Sequence, residues 1–224
     1  MSRVVVAMAF MATGMVGGSS PLRVKASPAV APCVAAASIE YQRATGRRVA
    51  LSIGELGSPA SAGGADVVVG ADQELNRIIE SGTSAPDLDV DVARIPWVLV
   101  APVGMPAMDV RSLVRTGARV RTLGGVVARE AWRNLAQQGL APGRVERVRE
   151  LRTALQLQPG EAAIVPLSLA GSGPVSSLAV PPLVVRALGV RASAQTDAAG
   201  AFLGFLTGEK GNAAFQLCGR TEAQ

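Results

Sequence analysis

The side chains able to do chemistry in this chain are few in kind. It has no histidine, two cysteines (Cys33 and Cys218), and 22 lysines and arginines against 17 acidic residues. Histidine is the commonest general base and metal ligand near neutral pH, so Ser-His-Asp catalysis and zinc chemistry lack their material. No nucleophile with an adjacent base is visible either, and the chain reads as a binder rather than an enzyme. Ten arginines crowd residues 109–152 against four acids, whereas residues 21–108 carry seven basic and nine acidic side chains. The positive charge belongs to a middle segment, where it forms a solvated face able to steer anions. Nucleic acid is not an expected partner despite a pI of 10.2, because there is one tyrosine and no arginine cluster tighter than "RVERVRELR".

Whether the cysteines pair depends on compartment. The first twenty residues, "MSRVVVAMAFMATGMVGGSS", put one arginine before an apolar run from Val4 to Val16 and small residues after it. That is the order of a secretory signal peptide, and the run falls short of the roughly 20 apolar residues a membrane span needs. Residues 1–20 are expected to direct export to the periplasm; the competing reading is a buried first strand of a cytoplasmic protein. In an oxidising compartment a disulfide between Cys33 and Cys218 would tie the C-terminus to the first helix. Two buried, inert thiols fit the sequence as well.

The elements that must position any site follow from hydrophobic periodicity. "PLRVKAS" reads as a strand, residues 29–45 as a helix stopped by Gly46, "RRVALSI" as a strand and "GELGSPASAGG" as a loop. "DVVVG" is a buried strand that tips directly into a helix with Asp72 as its expected cap and Leu75, Ile78 and Ile79 inward. Parallel strands feeding helices place loops at the strand carboxyl ends, where such sheets bind ligands. Residues 93–103, "ARIPWVLVAPV", form an apolar strand suited to a crossing between two lobes, and "PPLVVRAL" suits the return. Between them "VVAREAWRNLAQQG" and "ELRTALQLQPG" are helices and "EAAIVPLSLA" a buried strand. The tail, "DAAGAFLGFLTGEKGNAAFQLCG", is a helix pair with Phe202, Phe205 and Leu206 turned inward. The expected organisation is a signal peptide over 1–20, lobe I from 21–98 plus 187–224, and lobe II over 99–186.

Three of these stretches carry a family likeness. "GADVVVGADQELNRIIESG", "ARIPWVLVAP" and "AFLGFLTGEKGNAAFQLCG", in this order, resemble the periplasmic molybdate-binding proteins of ABC importers. The resemblance implies an α/β, two-lobed type II periplasmic-binding-protein fold with two crossing strands. It implies capture of a small oxyanion, molybdate or tungstate, in the interlobe cleft for delivery to an ABC permease, by a monomer without a cofactor or free metal cation. Backbone N–H groups at helix starts and serine hydroxyls suffice to hold such a guest, with no buried cation left unpaired when the site is empty. Carried over by position, the contacts fall at Ser27 or Ala29 after the first strand and at Ser58 or Ser61 after the second. In lobe II they fall at Gly124 and Leu151 at two helix starts, and at Ser168, two residues beyond Pro166, which stands where the family has a tyrosine. The alternative from the same fold is an envelope ligand-sensing or interaction module without an import role.

Overall fold

The computed structural model describes residues 20–123, 125–137, 139, 145–148 and 151–218, so the expected signal segment lies outside the described residues apart from Ser20. β1 (Leu22–Ala26) turns Leu22, Val24 and Ala26 inward and the residues between them outward, the period-two pattern of a strand. α1 (Ala31–Thr45) begins with Pro32 in its first turn, where no N–H is required. It ends at Gly46, whose φ of 70° is left-handed and costs a residue without Cβ little. β2 (Val49–Ile53) and β3 (Val67–Ala71) flank β1, both parallel to it. β3 is buried at every position, as its unbroken apolar run demands when both faces of the sheet are covered. α2 (Asp72–Glu80) follows β3 with no intervening loop.

β4 (Ser84–Ile95) is longer than the apolar pattern indicates, because Asp87, Asp89 and Asp91 interrupt that pattern. It is an edge strand, where charged side chains reach solvent and discourage pairing with another sheet. Pro96 separates it from β5 (Trp97–Val100), which belongs to a second sheet. There follow α3 (Val110–Thr116), β6 (Arg119–Leu123), α4 (Val126–Gln137), β7 (Val145–Val148), α5 (Leu151–Leu155), β8 (Glu161–Pro166) and β9 (Val175–Ser177). The chain returns through residues 178–182 to β10 (Leu183–Val190), which lies entirely in the first sheet, and closes with α6 (Thr196–Thr207) and α7 (Glu209–Leu217). The strand orders are β2-β1-β3-β10-β4 and β7-β6-β8-β5-β9. The change of sheet thus falls at Pro96 and again after Ser177, slightly ahead of residues 98 and 186. A proline that cannot donate to the ladder ends β4 at the crossing. The strand pattern "PPLVVRAL" supplies the arrival of the return, not the passage itself.

One apolar cluster joins the halves. It runs from Leu22, Val24, Val69 and Phe202 through Ile95 and Trp97 to Leu99, Val120 and Ile164. Tyr41 of α1 sets its ring edge-on to Phe202 and Phe205 of α6, with centroids 5.0 and 5.4 Å apart, a geometry the ring quadrupoles favour. A disulfide joins Cys33 in the first turn of α1 to Cys218 just after α7, with Cα atoms 5.0 Å apart. The starting edge of the first sheet is pinned by Asp66, which is fully buried. Its carboxylate accepts hydrogen bonds from the Arg23 backbone N–H (2.8 Å), Arg23 Nε (3.1 Å) and Nη2 (2.9 Å), Ser193 Oγ (2.8 Å) and Gln195 Nε2 (3.1 Å). Burial alone would push this carboxyl up, but the Arg23 and Ser193 hydrogen bonds outweigh it and hold the pKa below the usual aspartate value.

Two predictions concern stability. Removing the disulfide with Cys218→Ser releases a loop spanning 185 residues of sequence; a cost of about 2–5 kcal/mol, roughly 10 °C in Tm, is expected. Calorimetry in the presence and absence of reductant measures it, and an unchanged Tm would contradict it. For Asp66 the folded pKa is depressed, so its contribution is full above the unfolded value of about 4 and is lost as pH falls through the folded value. Asp66→Asn is expected to cost about 2–4 kcal/mol at neutral pH and to flatten the fall in urea midpoint on acidification. An equally steep acid dependence in the variant would assign that dependence to other groups.

Candidate binding site at the facing sheet edges

Because β1, β2 and β3 are parallel, their carboxyl ends share one edge. The register pairs Ala26 with both Ile53 and Val69, which brings Ser27, Gly54 and Gly70 to the same level. Ser27 extends β1 by one residue, its N–H donating to the Val69 carbonyl at 2.9 Å. The residue is wholly buried, and its hydroxyl stands against the Glu74 carboxyl without a hydrogen bond of regular geometry. A buried hydroxyl left unpaired is uncommon enough to mark a place where a partner is expected. Gly70 makes room for this pairing: a Cβ there would lie 3.2 Å from Glu74 Oε2, 3.5 Å from Ser27 Cβ and 2.9 Å from Leu56 Cδ1.

Glu74 is the residue that pattern reading missed. Asp72, the expected cap, is the first residue of α2 and accepts instead from Arg186 Nη1 at 2.7 Å. The cap is supplied by Glu74, whose Oε2 accepts the Ala71 N–H at 3.1 Å, the reciprocal half of a capping box. An acidic residue three positions into a helix carries that signal in sequence. Its proximity to Ser27, 47 positions earlier by numbering, does not. Burial, followed by the repulsion of Glu55, pushes the Glu74 pKa up, against the opposing effects of the Ser27 hydroxyl and the Ala71 N–H.

Ser58 and Ser61 serve the loop after β2. The Ser58 carbonyl accepts both the N–H and the hydroxyl of Ser61, closing a 3-10 turn over Pro59–Ala62, and the Ser58 side chain is exposed without capping that turn. The same loop seats Leu56 and Ala62 on Leu75 and Ile78 of α2. It is Leu56, rather than either serine, that reaches the Gly70 surface.

The second sheet repeats the arrangement. β6, β7 and β8 are parallel, with Leu123 beside Val148 and Thr122 beside Ile164, so the starts of α4 and α5 and the turn after β8 share an edge. Gly124 lies outside the described residues; Gly125 beside it has a φ of 111° and is exposed. Leu151 opens α5 and packs its half-buried side chain on the layer formed by Val98, Val100, Ala163 and Val165. Ser168 sits in the short turn Leu167–Leu169 and is buried; its hydroxyl donates to the Ala29 carbonyl at 3.1 Å. That bond spans the two halves, so the structure brings together Ala29, after β1, and Ser168, after β8. α2 also lies against α4.

Part of the charge near these edges is internally neutralised. Arg186 holds Asp72 and Asp89, the latter at 2.5 Å, while Asp91 lies 3.6 Å from its Nε. Arg121, in the arginine-rich segment, is not part of a solvated face. It reaches Glu161 at 3.2 Å, Glu146 at 3.4 Å and the Gln156 carbonyl at 2.7 Å. Among the described residues no group of three His, Cys, Asp or Glu is placed to hold a metal ion. The chemistry the edges offer is that of hydroxyl and backbone donors, with one half-buried carboxyl beside them.

No curated protein matches the sequence. Solved structures share the architecture. The periplasmic molybdate-binding protein of Azotobacter vinelandii aligns with a TM-score of 0.71 at 18% identity, over 88% of this chain and 97% of that one. The sulfate-binding protein SubI of Mycobacterium tuberculosis H37Rv gives 0.68 at 20% identity, over 90% and 86%. Iron-bound HitA of Pseudomonas aeruginosa gives 0.63 at 16% identity, over 87% and 84%. At these identities the likeness is one of fold, the two-lobed type II periplasmic binding fold. The profile of bacterial extracellular solute-binding proteins matches residues 22–220, nearly all of the described chain, and the protein belongs to that family.

Proposed function

We propose that the protein captures a small oxyanion, molybdate-like in size and charge, between the two carboxyl edges and presents it to an ABC permease in the periplasm. The observation that carries this reading is the buried, unpaired hydroxyl of Ser27 at an edge that faces a second, equivalent edge. Hydroxyls and helix-start amides are donors fitted to oxygens that carry negative charge, and they need no counter-charge when the guest is gone. Closure is a hinge motion about Pro96 and the 178–182 passage, with each sheet and its helices moving as a lobe. Of the carried-over positions, Ser27, Ala29 and the starts of α4 and α5 are the contacts proposed, and Ser58 and Ser61 hold the loop that roofs Ser27. The neighbours named for molybdate and sulfate support an oxyanion as the class of guest. The reading as a sensing or interaction module draws on the Ser168–Ala29 bond, a direct link between the lobes.

A thermal-shift series with molybdate, tungstate, sulfate and phosphate tests the reading. A ligand at 100 times its Kd adds about 2.7 kcal/mol, roughly 5–10 °C in Tm for a chain of this size. A shift with at least one of the four is expected, and a flat response to all of them would leave only the sensing or interaction module. The latch is tested by Ser168→Ala, which removes about 1 kcal/mol of closure and increases the open population about fivefold. Small-angle scattering of the unliganded protein should show a larger radius of gyration in the variant; identical curves would count against a latch.

A further inference from the structure

The end of the second sheet remote from Ser168 presents apolar side chains to water. β5 and β8 are antiparallel, so Val100, which closes β5, pairs with Ala163 near the start of β8, whereas Ser168 follows the other end of β8. A crevice of about 630 Å³ opens at the Val100 end, walled by Val100, Leu155, Leu157 and the loop after β5, and no charged side chain lines it among the described residues. Of the six large apolar side chains that stand exposed among the described residues, four belong to the second sheet and its connections: Val103, Met105, Val114 and Val175. Val103 is 79% exposed, and Val175 pairs with Val100 of the crevice wall. Apolar surface gathered in this way marks a face with a partner.

Backbone and charge together indicate which partner. Residues 103–107 are an exposed run without a charge. The Met105 N–H donates to the Pro102 carbonyl at 3.0 Å, Gly104 takes a φ of 83° within that turn, and Pro102 and Pro106 have no N–H to satisfy. A turn that pairs its own polar groups is fitted to enter an apolar layer, where a bare N–H is costly. It offers little to an extended peptide that binds through main-chain hydrogen bonds. Around the turn, Arg111 and Arg115 of α3 and Arg119 of β6 are exposed, and Asp109 is the one acid between residues 103 and 119. Asp109 is engaged as the α3 cap, accepting the Ser112 N–H at 2.7 Å. Arg119 stands beside the crevice, its N–H on the Gly160 carbonyl next to Pro159; Glu161 lies 3.9 Å from it but closer to Arg121, at 3.2 Å. Apolar side chains ringed by guanidinium groups suit the headgroup layer of an anionic bilayer, the former reaching the acyl chains and the latter the phosphates. We propose that this end of the second lobe docks on an anionic phospholipid surface, with Val103 and Met105 as the inserting side chains. Ser168 lies at the other end of β8, so docking here leaves the candidate binding edge uncovered.

The test is co-sedimentation with vesicles of phosphatidylcholine alone and of equimolar phosphatidylglycerol and phosphatidylcholine. It uses the full chain as wild type, as Val103→Ser/Met105→Ser and as Arg111→Gln/Arg115→Gln. All three carry the same residues 1–20, so any contribution of Val4–Val16 is common to them. The wild type is expected to bind the mixed vesicles more tightly than phosphatidylcholine. Loss of two arginines should weaken binding to the mixed vesicles by roughly 25-fold, about fivefold for each. Loss of Val103 and Met105 should weaken binding to both kinds of vesicle by about tenfold. The substituted side chains are exposed, so Tm and its shift with molybdate should match wild type in both variants, which separates this proposal from oxyanion capture. Mixed vesicles should also slow hydrogen exchange over residues 103–119 of the wild type. Equal binding by all three proteins, or exchange there that vesicles leave unchanged, overturns the proposal. A dimer in sedimentation velocity that Val103→Ser/Met105→Ser abolishes, or capture of an acidic amphipathic peptide by a protein that ignores the vesicles, overturns it too and assigns the face to a protein partner.

Discussion

The arrangement depends on a single apolar seam that changes sheet at Pro96. Ile95 and Trp97, on either side of the proline, belong to one continuous cluster with the cores of both halves. The ladder cannot run through Pro96, so the chain leaves the first sheet there and enters the second as an antiparallel strand beside β8. Everything at the cleft follows from this turn. The parallel strands of each half already gather their carboxyl ends at one edge, and the Ser168–Ala29 bond brings the two edges together.

Two constraints then hold the facing edges in place from behind. Cys33, in the first turn of α1, is bonded to Cys218 after α7, which fixes the helix start that borders Ala29. At the opposite edge of the same sheet, Asp66 gathers β1, β3 and the segment after β10 through a single carboxylate. The site end of the sheet carries an unpaired hydroxyl and a half-buried carboxyl; Ser38 on α1 is likewise buried with its hydroxyl unpaired, but it does not lie at a strand end.

The contrast between serines illustrates how position, not residue type, decides a role. Ser27, Ser58, Ser61 and Ser168 all follow strands in the chain. Ser58 and Ser61 spend their carbonyl and hydroxyl on closing a turn, Ser168 spends its hydroxyl on the carbonyl of Ala29, and Ser27 sets its against the Glu74 carboxyl without a hydrogen bond of regular geometry. Hydroxyls close local turns whenever the backbone offers a carbonyl three residues away. At Ser27 the N–H is paired with the Val69 carbonyl in the sheet and the carbonyl accepts the Val30 N–H, which leaves the hydroxyl out of the turn.

By itself the sequence determined the elements and much of their order. The triple valine of β3, the inward alternation of β1, the Gly46 stop and the apolar face of α6 are local patterns, each set by burial on one face and by backbone conformation. Their order also carried the family. The Asp-rich first part of β4 escaped because an edge strand need not be apolar, and Glu74 escaped because its partner Ser27 lies on a different strand. Only the tertiary structure decided that Arg121 is an internal ion-pair centre, that Ser168 meets Ala29, and that Leu56 roofs the edge in place of a serine. Those are contacts between residues far apart in the chain, fixed by strand register and by the crossing at Pro96, and no local periodicity encodes them.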